Sequence, residues 1–300
     1  MAVQTYLKPT RLMPLAGNRW LKLESQQPVG AFKVRGAISV MSRYPAGTRV
    51  VTASAGNHAI GVAWAAQALN QHATVVMPEN ASTRKIEILK DMGTDIVLVG
   101  SSFDDAEAHA LELAESGLTY ISAYNDPHVI AGQATVLDEL LAQIEGDFTV
   151  IVPVGGGGVI AGIAMRAAQE RDRSITVIGV ETESSQAVSA SVAAGHVVDI
   201  EIGESIADGL AGGIEDGSVT VDILVEYAPK LMVVSEAGIR AAIRELYVEH
   251  DLVTEGSAAI SYAAMKTIAS PGPVIALITG RNISRELLQE IVAQGQEVRR

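Results

Sequence analysis

The sequence predicts an α/β fold built from open, twisted, mostly parallel sheets flanked by helices. Short β-branched runs alternate with helical stretches along the whole chain, which is typical of βαβ units. Of the 300 residues, 48% are hydrophobic, which is enough for a large core, and no cysteine is present to form disulfides or thiolate metal sites. This length suggests about two domains.

The first half of the chain predicts one compact unit of alternating elements. Its strands are short runs rich in valine, isoleucine and threonine, and its helices are longer stretches with apolar residues at helical spacing. We expect strands at Thr48–Thr52, Ala73–Met77, Asp95–Val99 and Leu118–Ile121, and helices at Ala59–Leu69, Ser82–Met92 and Phe103–Glu115.

A run of four glycines, Gly155–Gly158, follows the predicted strand Phe148–Val154 and precedes the apolar, helical stretch Val159–Met165. Glycines at such a turn let successive backbone N–H groups point at one anion, which a helix N-terminus also favours. A nucleoside-triphosphate loop would need lysine followed by serine or threonine, and valine and isoleucine stand there instead. A dinucleotide site stays open because Glu181 ends the next predicted strand, as does a turn that merely permits close helix packing. The run indicates a phosphate site.

Lys33 lies between Phe32 and Val34 at the expected start of a helix. A lysine by itself is most often a solvated charge. If Lys33 were buried beside a phosphate-bearing aldehyde, desolvation would favour its neutral amine, which can form a Schiff base and exchange a proton with substrate.

A third segment, Thr52–Ala59, is a polar turn between a predicted strand and a predicted helix. The helix N-terminus and the hydroxyl of Ser54 can bind a carboxylate, which is the group that an amino-acid substrate carries. The chain therefore offers one anion site for a phosphate and another for a substrate.

Six motifs, in order, carry a family resemblance: KLESQQPVGAFKVRGA, TASAGNHAIGVA, PVGGGGVIAG, SIADGLAGG, VTEGSAA and ITGRN. From about Leu15 to Asn282 the chain resembles the serine/threonine dehydratase (threonine ammonia-lyase) and serine racemase group, which are pyridoxal-phosphate enzymes of fold type II. The resemblance implies a two-domain, tryptophan synthase β-like fold. Residues 1–44 and 123–300 would form a large cofactor-binding domain, and residues 45–122 a small mobile domain. The cofactor would lie in the cleft between them, and closure would exclude water.

The resemblance also implies roles for individual residues. Lys33 would be the Schiff-base lysine and Asp208 a second catalytic group, although an Asp-Gly pair is also a common turn. Glu255 would lie near the cofactor ring, although an acid before glycine can also cap a helix. The residues implied to bind pyridoxal 5'-phosphate are Phe32, Lys33, Asn57, Gly155, Gly156, Gly157, Gly158, Val159, Gly209, Glu255 and Thr279. Those implied to bind the substrate are Ser54, Ala55, Gly56, Asn57 and His58.

Two of these positions bear on the reaction. Thr279 is implied to face the pyridine nitrogen, and a neutral hydroxyl cannot keep that nitrogen protonated as an aspartate would, which favours loss of a β-leaving group. Racemases of the group carry a serine at the position of Ala55, which has no exchangeable proton. We therefore expect L-threonine, L-serine or a related β-hydroxy amino acid to be converted to a 2-keto acid and ammonia, without efficient racemisation.

Other functions stay open. One is a different enzyme of the same fold, such as a serine racemase or a dehydratase of hydroxyaspartate or phenylserine. A hydroxyaspartate enzyme would need an extra cation, which Arg281 would supply if it does not face solvent. Another is a non-catalytic protein that binds cofactor or amino acid. Such a protein would have no need to keep Lys33, Asn57 and the glycine run together.

Many members of the group bind a divalent cation on the acid that ends the strand after the glycine run, here Glu181. An ungapped alignment places Ser185 at the carbonyl ligand and Ala187 where a second carboxylate belongs, which leaves Glu183 as a displaced substitute. Hard cations need several oxygen ligands, so this set is incomplete, with Glu181 as its one matching side chain.

Charge and hydropathy indicate partners and location. A formal net charge of −13 disfavours nucleic acid and anionic membrane, and leaves a small-molecule substrate as the expected partner, while the resemblance implies a homodimer. Residues 1–9 lack a secretion-signal pattern and no apolar run reaches the roughly 18 residues of a membrane span, so a cytoplasmic location is expected. A short helical tail, residues 283–300, follows the last motif, so no C-terminal regulatory domain is expected.

Overall fold

The computed structural model describes residues 2–81 and 83–297. Along the first half of the chain the elements are α1 (Ala2–Tyr6), β1 (Leu12–Leu15), β2 (Arg19–Leu23), a 3-10 turn (Glu24–Gln26), α2 (Lys33–Met41), β3 (Arg49–Ala53), α3 (Asn57–Leu69), β4 (His72–Met77), α4 (Thr83–Asp91), β5 (Asp95–Leu98), α5 (Phe103–Glu115) and β6 (Thr119–Tyr120). Those that follow are α6 (Pro127–Gln143), β7 (Phe148–Pro153), α7 (Gly158–Ala168), β8 (Ile175–Thr182), α8 (Ala187–Ala194), α9 (Val219–Tyr227), β9 (Lys230–Val234), α10 (Glu236–His250), α11 (Gly256–Met265), β10 (Val274–Ile278) and α12 (Arg285–Glu297).

The chain divides into two compact units, and the first consists of Met1–Pro9 and Gln27–Thr135. Its sheet has four parallel strands in the order β5-β4-β3-β6. The inner strand β3 is buried on both faces from Val50 to Ala53, which is typical of a parallel sheet covered by helices. Helices α2 and α3 pack together on this sheet, because Ile38 and Val62 share one apolar cluster with Val50. This packing fixes the positions of the N-termini of α2 and α3 within the unit.

The second unit consists of Thr10–Gln26 and Val136–Arg300. Its sheet has six strands in the order β1-β2-β10-β7-β8-β9, and β1 alone pairs antiparallel with its neighbour. Helix α11 covers the sheet, and its Ile260 is buried in one cluster with Ile151 of β7 and Ile278 of β10. Because β7, β8 and β10 are parallel, the residues that follow each of them meet at one edge of the sheet. Those residues include the glycine run and Thr279.

The elements confirm most of the sequence-based expectations. The α/β class and the mostly parallel sheets are as predicted, and the predicted helix Phe103–Glu115 has the same bounds in the structure. Helix α3 begins at Asn57, two residues before the predicted start, so that the Asn-His pair lies in its first turn. Ser82, at the start of another predicted helix, lies outside the described residues. So do residues 298–300 of the predicted tail, whose described part forms α12.

The division into units differs from the predicted boundaries. Residues 27–44 and 123–135 belong to the same unit as the predicted small domain, residues 45–122. The physical reason is the packing of α2 on α3, in which a Cβ on Gly61 would lie only 3.2 Å from the backbone of Lys33. The predicted movement of residues 45–122 as a separate body stays a prediction. In the part of the chain that the structure describes, no helix is long and apolar enough to cross a membrane.

Candidate active site

The glycine run joins β7 to α7 at the carboxyl edge of the six-stranded sheet. Gly157 has a φ of +86°, and a Cβ there would lie 3.1 Å from the side chain of Thr220. The hydroxyl of Thr220 donates a hydrogen bond to the carbonyl of Gly156 at 2.8 Å. Position 157 therefore requires glycine, and Thr220, at the start of α9, fixes the run through its bond to Gly156. The first N–H groups of α7, from Gly158 and Val159, have no partner within the helix and suit an anion.

Gly155 packs against the backbone of the Ser205–Gly209 loop. A Cβ on Gly155 would lie 2.8 Å from the carbonyl oxygen of Gly209. The amide of Gly209 is shared between the carboxylate of Asp208, at 2.9 Å, and the hydroxyl of Ser257, at 3.1 Å. Gly209 thus lies beside the glycine run, whereas Asp208 is exposed and its carboxylate turns back to its own loop.

Thr279 follows β10, and its side chain is buried. Its hydroxyl donates a hydrogen bond to the carbonyl of Ser257 at 3.3 Å. The carboxylate of Glu255 accepts a hydrogen bond from the amide of Asn282 at 3.2 Å, and the amide of Glu255 lies 3.3 Å from the carbonyl of Gly280. The start of α11 thereby holds the loop that carries Thr279.

Four sequence-predicted positions of the second unit come together in this way: Gly155, Gly209, Glu255 and Thr279. The residue that links them is Ser257, whose hydroxyl contacts Gly209 and whose carbonyl accepts the bond from Thr279. Sequence reasoning missed Ser257. The feature that could have identified it is its position directly after glycine in the VTEGSAA motif, two residues after Glu255.

In the first unit, Lys33 is the first residue of α2, and its Nζ donates a hydrogen bond to the carbonyl of Ala123 at 2.9 Å. Although parts of its side chain are accessible, the surroundings of Nζ exclude water, and this burial lowers the pKa of Lys33 from 10.5 to about 8. Nζ also lies 5.4 Å from the centre of the Phe32 ring. The amine is therefore mostly protonated at pH 7, with about a tenth neutral, and its neutral fraction reaches about half near pH 8.

The Ser54–His58 turn leads into α3 of the same unit. The Ser54 hydroxyl accepts a hydrogen bond from the amide of Gly56 at 3.1 Å, and a Cβ on Gly56 would meet nothing within 4 Å. The turn therefore leaves space at the helix N-terminus, where Asn57 is the first helical residue. Ala55 packs against the apolar cluster around α3 and β4.

His58 is buried in the first turn of α3. Burial, helped by the charge of Lys33, lowers the pKa of His58 to about 3, so its ring is neutral. Its Nε2 lies 3.1 Å from the carbonyl of Ile121, and a carbonyl can only accept, so Nε2 carries the proton. His58 therefore ties the turn to Ile121, the residue after β6, and is not a general base.

The residues present fit pyridoxal phosphate. The first unit supplies a partly neutral lysine amine beside an aromatic ring. The second supplies a glycine run at a helix N-terminus, where a phosphate can bind, and the buried hydroxyl of Thr279, which can face a pyridine nitrogen. Each unit thus carries the donor groups of one part of such a cofactor.

Glu181 is the second-last residue of β8 and is almost fully buried. Its carboxylate accepts hydrogen bonds from the amide of Val188 at 2.9 Å and from the amide and the hydroxyl of Ser189. It therefore caps α8, and burial raises its pKa. Among the described residues, no group of three or more histidine, aspartate or glutamate side chains is placed to hold a metal ion. A cation at Glu181 stays a prediction that this arrangement does not support.

A model of the protein family described as "Pyridoxal-phosphate dependent enzyme" matches residues 3–280. The chain is 36% identical over 285 residues to an L-threonine ammonia-lyase of Thermotoga maritima, an alignment that covers 93% of this chain and 71% of that protein. Its structure is similar to the processed form of threonine deaminase isoform 2 from Solanum lycopersicum, with a TM-score of 0.90, 34% identity, and coverage of 97% of this chain and 89% of that one. It is also similar to maize serine racemase, with a TM-score of 0.89, 29% identity, and coverage of 99% and 95%.

Proposed function

The chain belongs to the family of pyridoxal-phosphate-dependent enzymes, and we propose that it is an ammonia-lyase for β-hydroxy amino acids. It converts L-threonine, L-serine or a related compound to a 2-keto acid and ammonia. The observation that carries the proposal is Lys33. An amine with a pKa of about 8, oriented by the carbonyl of Ala123, is what both cofactor attachment and proton transfer require.

When bound, pyridoxal phosphate supplies an electron-withdrawing ring that stabilises negative charge at the substrate Cα. Lys33 holds the cofactor and, once released from it, takes the proton from Cα. Its neutral form is available near pH 8, so no additional base is needed to activate it. The carbonyl of Ala123 fixes the direction from which Nζ acts.

The N-termini of α7 and α3 each bind one anion. The amides of the glycine run and of Gly158 and Val159 hold the cofactor phosphate. The turn from Ser54 to Asn57 holds the substrate carboxylate, where the open space beside Gly56 leaves room for it. Neither role needs an ionised side chain, because the backbone provides the donors.

Elimination rather than racemisation follows from two side chains. Thr279 offers the ring nitrogen a hydroxyl, which carries no charge to keep that nitrogen protonated. Ala55 offers no proton on the face where a racemase needs one. Glu255 and Gly209 complete the ring site, and Asp208 lies beside it with its carboxylate on its own loop.

The test is release of keto acid from a panel of L-threonine, L-serine, 3-hydroxyaspartate and phenylserine, with Lys33→Ala as the control. Release from threonine or serine that the variant loses supports the proposal. Cofactor binding with no keto acid from any member of the panel would contradict the lyase activity and leave the family unchanged. A homodimer and a cytoplasmic location remain part of the proposal, to be measured by light scattering and by fractionation.

A further inference from the structure

The Ser205–Gly209 loop lies over a cavity. This open cavity of about 650 Å³ is lined by residues of the loop, among them Ser205, Ile206 and Asp208, and by Glu236 from the start of α10. The cavity leaves one side of the loop without packing, whereas Ala207 and, in part, Ile206 pack in the apolar cluster of the second unit. On the cavity side, polar contacts fix the position of the loop.

Glu236 accepts two of the hydrogen bonds that the loop makes. One carboxylate oxygen accepts hydrogen bonds from the hydroxyl of Thr182, at 2.9 Å, and from the hydroxyl of Ser205. The other oxygen accepts the amide of Ile206 at 3.1 Å. Ser205 in turn accepts the amide of Ala207 at 3.0 Å. One carboxylate thus joins the end of β8 to the first half of the loop.

The second half of the loop reaches the proposed cofactor site. A Cβ on Gly256 would lie 2.3 Å from the carbonyl of Ile206, so this part of the loop touches the start of α11 directly. Beyond it, Gly209 contacts Ser257 and packs on Gly155. Only residues 207 and 208 separate Ile206, which contacts Glu236, from Gly209, which contacts the glycine run.

Glu236 is not needed as a helix cap. Ser235 is the N-cap of α10, and its hydroxyl accepts the amide of Gly238 at 3.2 Å. The carboxylate of Glu183 accepts the amide of Glu236 itself at 2.8 Å. Two other groups thus satisfy the N-terminus of α10, and the carboxylate of Glu236 is directed to the loop.

We propose that Glu236 is a positioning residue that fixes the Ser205–Gly209 loop, and through it the face of the cofactor site formed by Gly209 and Gly155. The inference rests on the proposed function, because it assigns Gly209 to the cofactor ring. It assigns Glu236 no contact with cofactor or substrate.

The experiment compares Glu236→Gln with Glu183→Gln. Both remove one negative charge at the same helix N-terminus, and only the first removes an acceptor of the loop. Glutamine keeps one acceptor and turns an NH₂ group towards donors, so the loop loses part of its anchor. Amide hydrogen exchange of residues 205–209 is measured in the purified protein. Affinity for pyridoxal phosphate, the visible absorbance of the bound cofactor, and kcat and KM for L-threonine are measured beside it.

We expect Glu236→Gln to speed exchange in the loop and to weaken cofactor affinity by about tenfold. We expect kcat to fall by about as much, while KM changes by less than about threefold because the substrate-carboxylate turn is untouched. Glu183→Gln should leave these readouts near wild type. Glu236→Asp, which keeps the carboxylate, should recover part of each loss.

Three outcomes overturn the inference. The first is unchanged exchange in Glu236→Gln. The second is faster exchange with cofactor affinity, absorbance and kcat all unchanged. The third is an equal effect of Glu183→Gln, which would indicate a general effect of charge on α10. If the wild-type chain binds no pyridoxal phosphate, the proposed function fails first, and the exchange data still show whether Glu236 holds the loop.

Discussion

The hydroxyl of Ser257 lies 3.1 Å from the amide nitrogen of Gly209, which places the start of α11 against the loop beside the glycine run. The carbonyl of the same serine accepts the hydroxyl of Thr279 at 3.3 Å. One residue therefore connects the segment expected beside the cofactor ring to the segment expected at its nitrogen. The site in this unit is one connected arrangement of backbone and hydroxyl groups.

Gly155→Ala tests how tightly that arrangement is packed. The new Cβ would lie 2.8 Å from the carbonyl of Gly209, so one of the two loops must shift. We expect at least a tenfold loss of affinity for pyridoxal phosphate, measured by titration of its absorbance. Gly212→Ala is the matched control, because its Cβ would meet nothing within 4 Å. Equal affinities of the two variants would contradict the packing.

Thr279→Val replaces the hydroxyl with a methyl group of similar size. It removes a buried hydrogen bond to Ser257 and, in our proposal, the partner of the ring nitrogen. We expect kcat to fall by about tenfold or more, on the scale of one lost hydrogen bond. Thr279→Ser keeps the hydroxyl and should keep most of the activity. A fully active valine variant would mean that Thr279 does not serve the cofactor.

Lys33→Met should stabilise the protein without cofactor. Lys33 is protonated at pH 7 in both states, but its pKa is about 8 when folded and 10.5 when unfolded, so the folded state disfavours the charge. Removing this charge should raise the free energy of unfolding by up to about 3 kcal/mol below pH 8. The gain should disappear as the pH rises towards 10.5. Denaturant unfolding at several pH values measures this. Lys230→Met, at an exposed position, is the control. A gain that does not depend on pH would indicate better packing in place of a removed charge.

Ala55→Ser tests the choice between elimination and racemisation. The wild-type chain should give pyruvate from L-serine with little D-serine, because Ala55 has no proton to deliver. The serine variant should form more D-serine, which chiral chromatography would detect. Comparable amounts of D-serine and pyruvate from the wild-type chain would show that another group delivers the proton.

Ser189→Ala tests the role of Glu181. The variant removes one of the donors to a buried carboxylate, and we expect a loss of about 1–2 kcal/mol in the free energy of unfolding. Because α8 already supplies donors to this carboxylate, EDTA should leave the melting temperature unchanged. A melting temperature that falls in EDTA and recovers with Mg²⁺ would indicate a cation there.

The sequence predicts those features that depend on local pattern. β-Branched runs, glycine turns and helix starts predicted the elements that carry Lys33 and the glycine run to within a residue or two. Thr279 was identified through the family resemblance and not through local pattern. Contacts between distant segments carry no such signal. Glu236 reads in the sequence as an ordinary acid in the first turn of a helix, and its bond to Thr182, 54 residues away, follows only from the order of β8 and β9.

The domain boundary could not be predicted from local pattern either. A boundary near residue 45 follows from where the alternating strands begin, but the unit that contains Lys33 is set by how closely α2 approaches α3 at Gly61. Sequence spacing does not report that distance. Thr220, which holds the glycine run through Gly156, was missed for the same reason.

The most direct test of the account is to locate the lysine that binds the cofactor. The purified chain is incubated with pyridoxal phosphate, reduced with borohydride, digested and analysed by mass spectrometry. We expect the phosphopyridoxyl group on the peptide that contains Lys33, and its loss in Lys33→Ala. Stoichiometric labelling of a different lysine, or no labelling of the wild-type chain, would contradict the central claim.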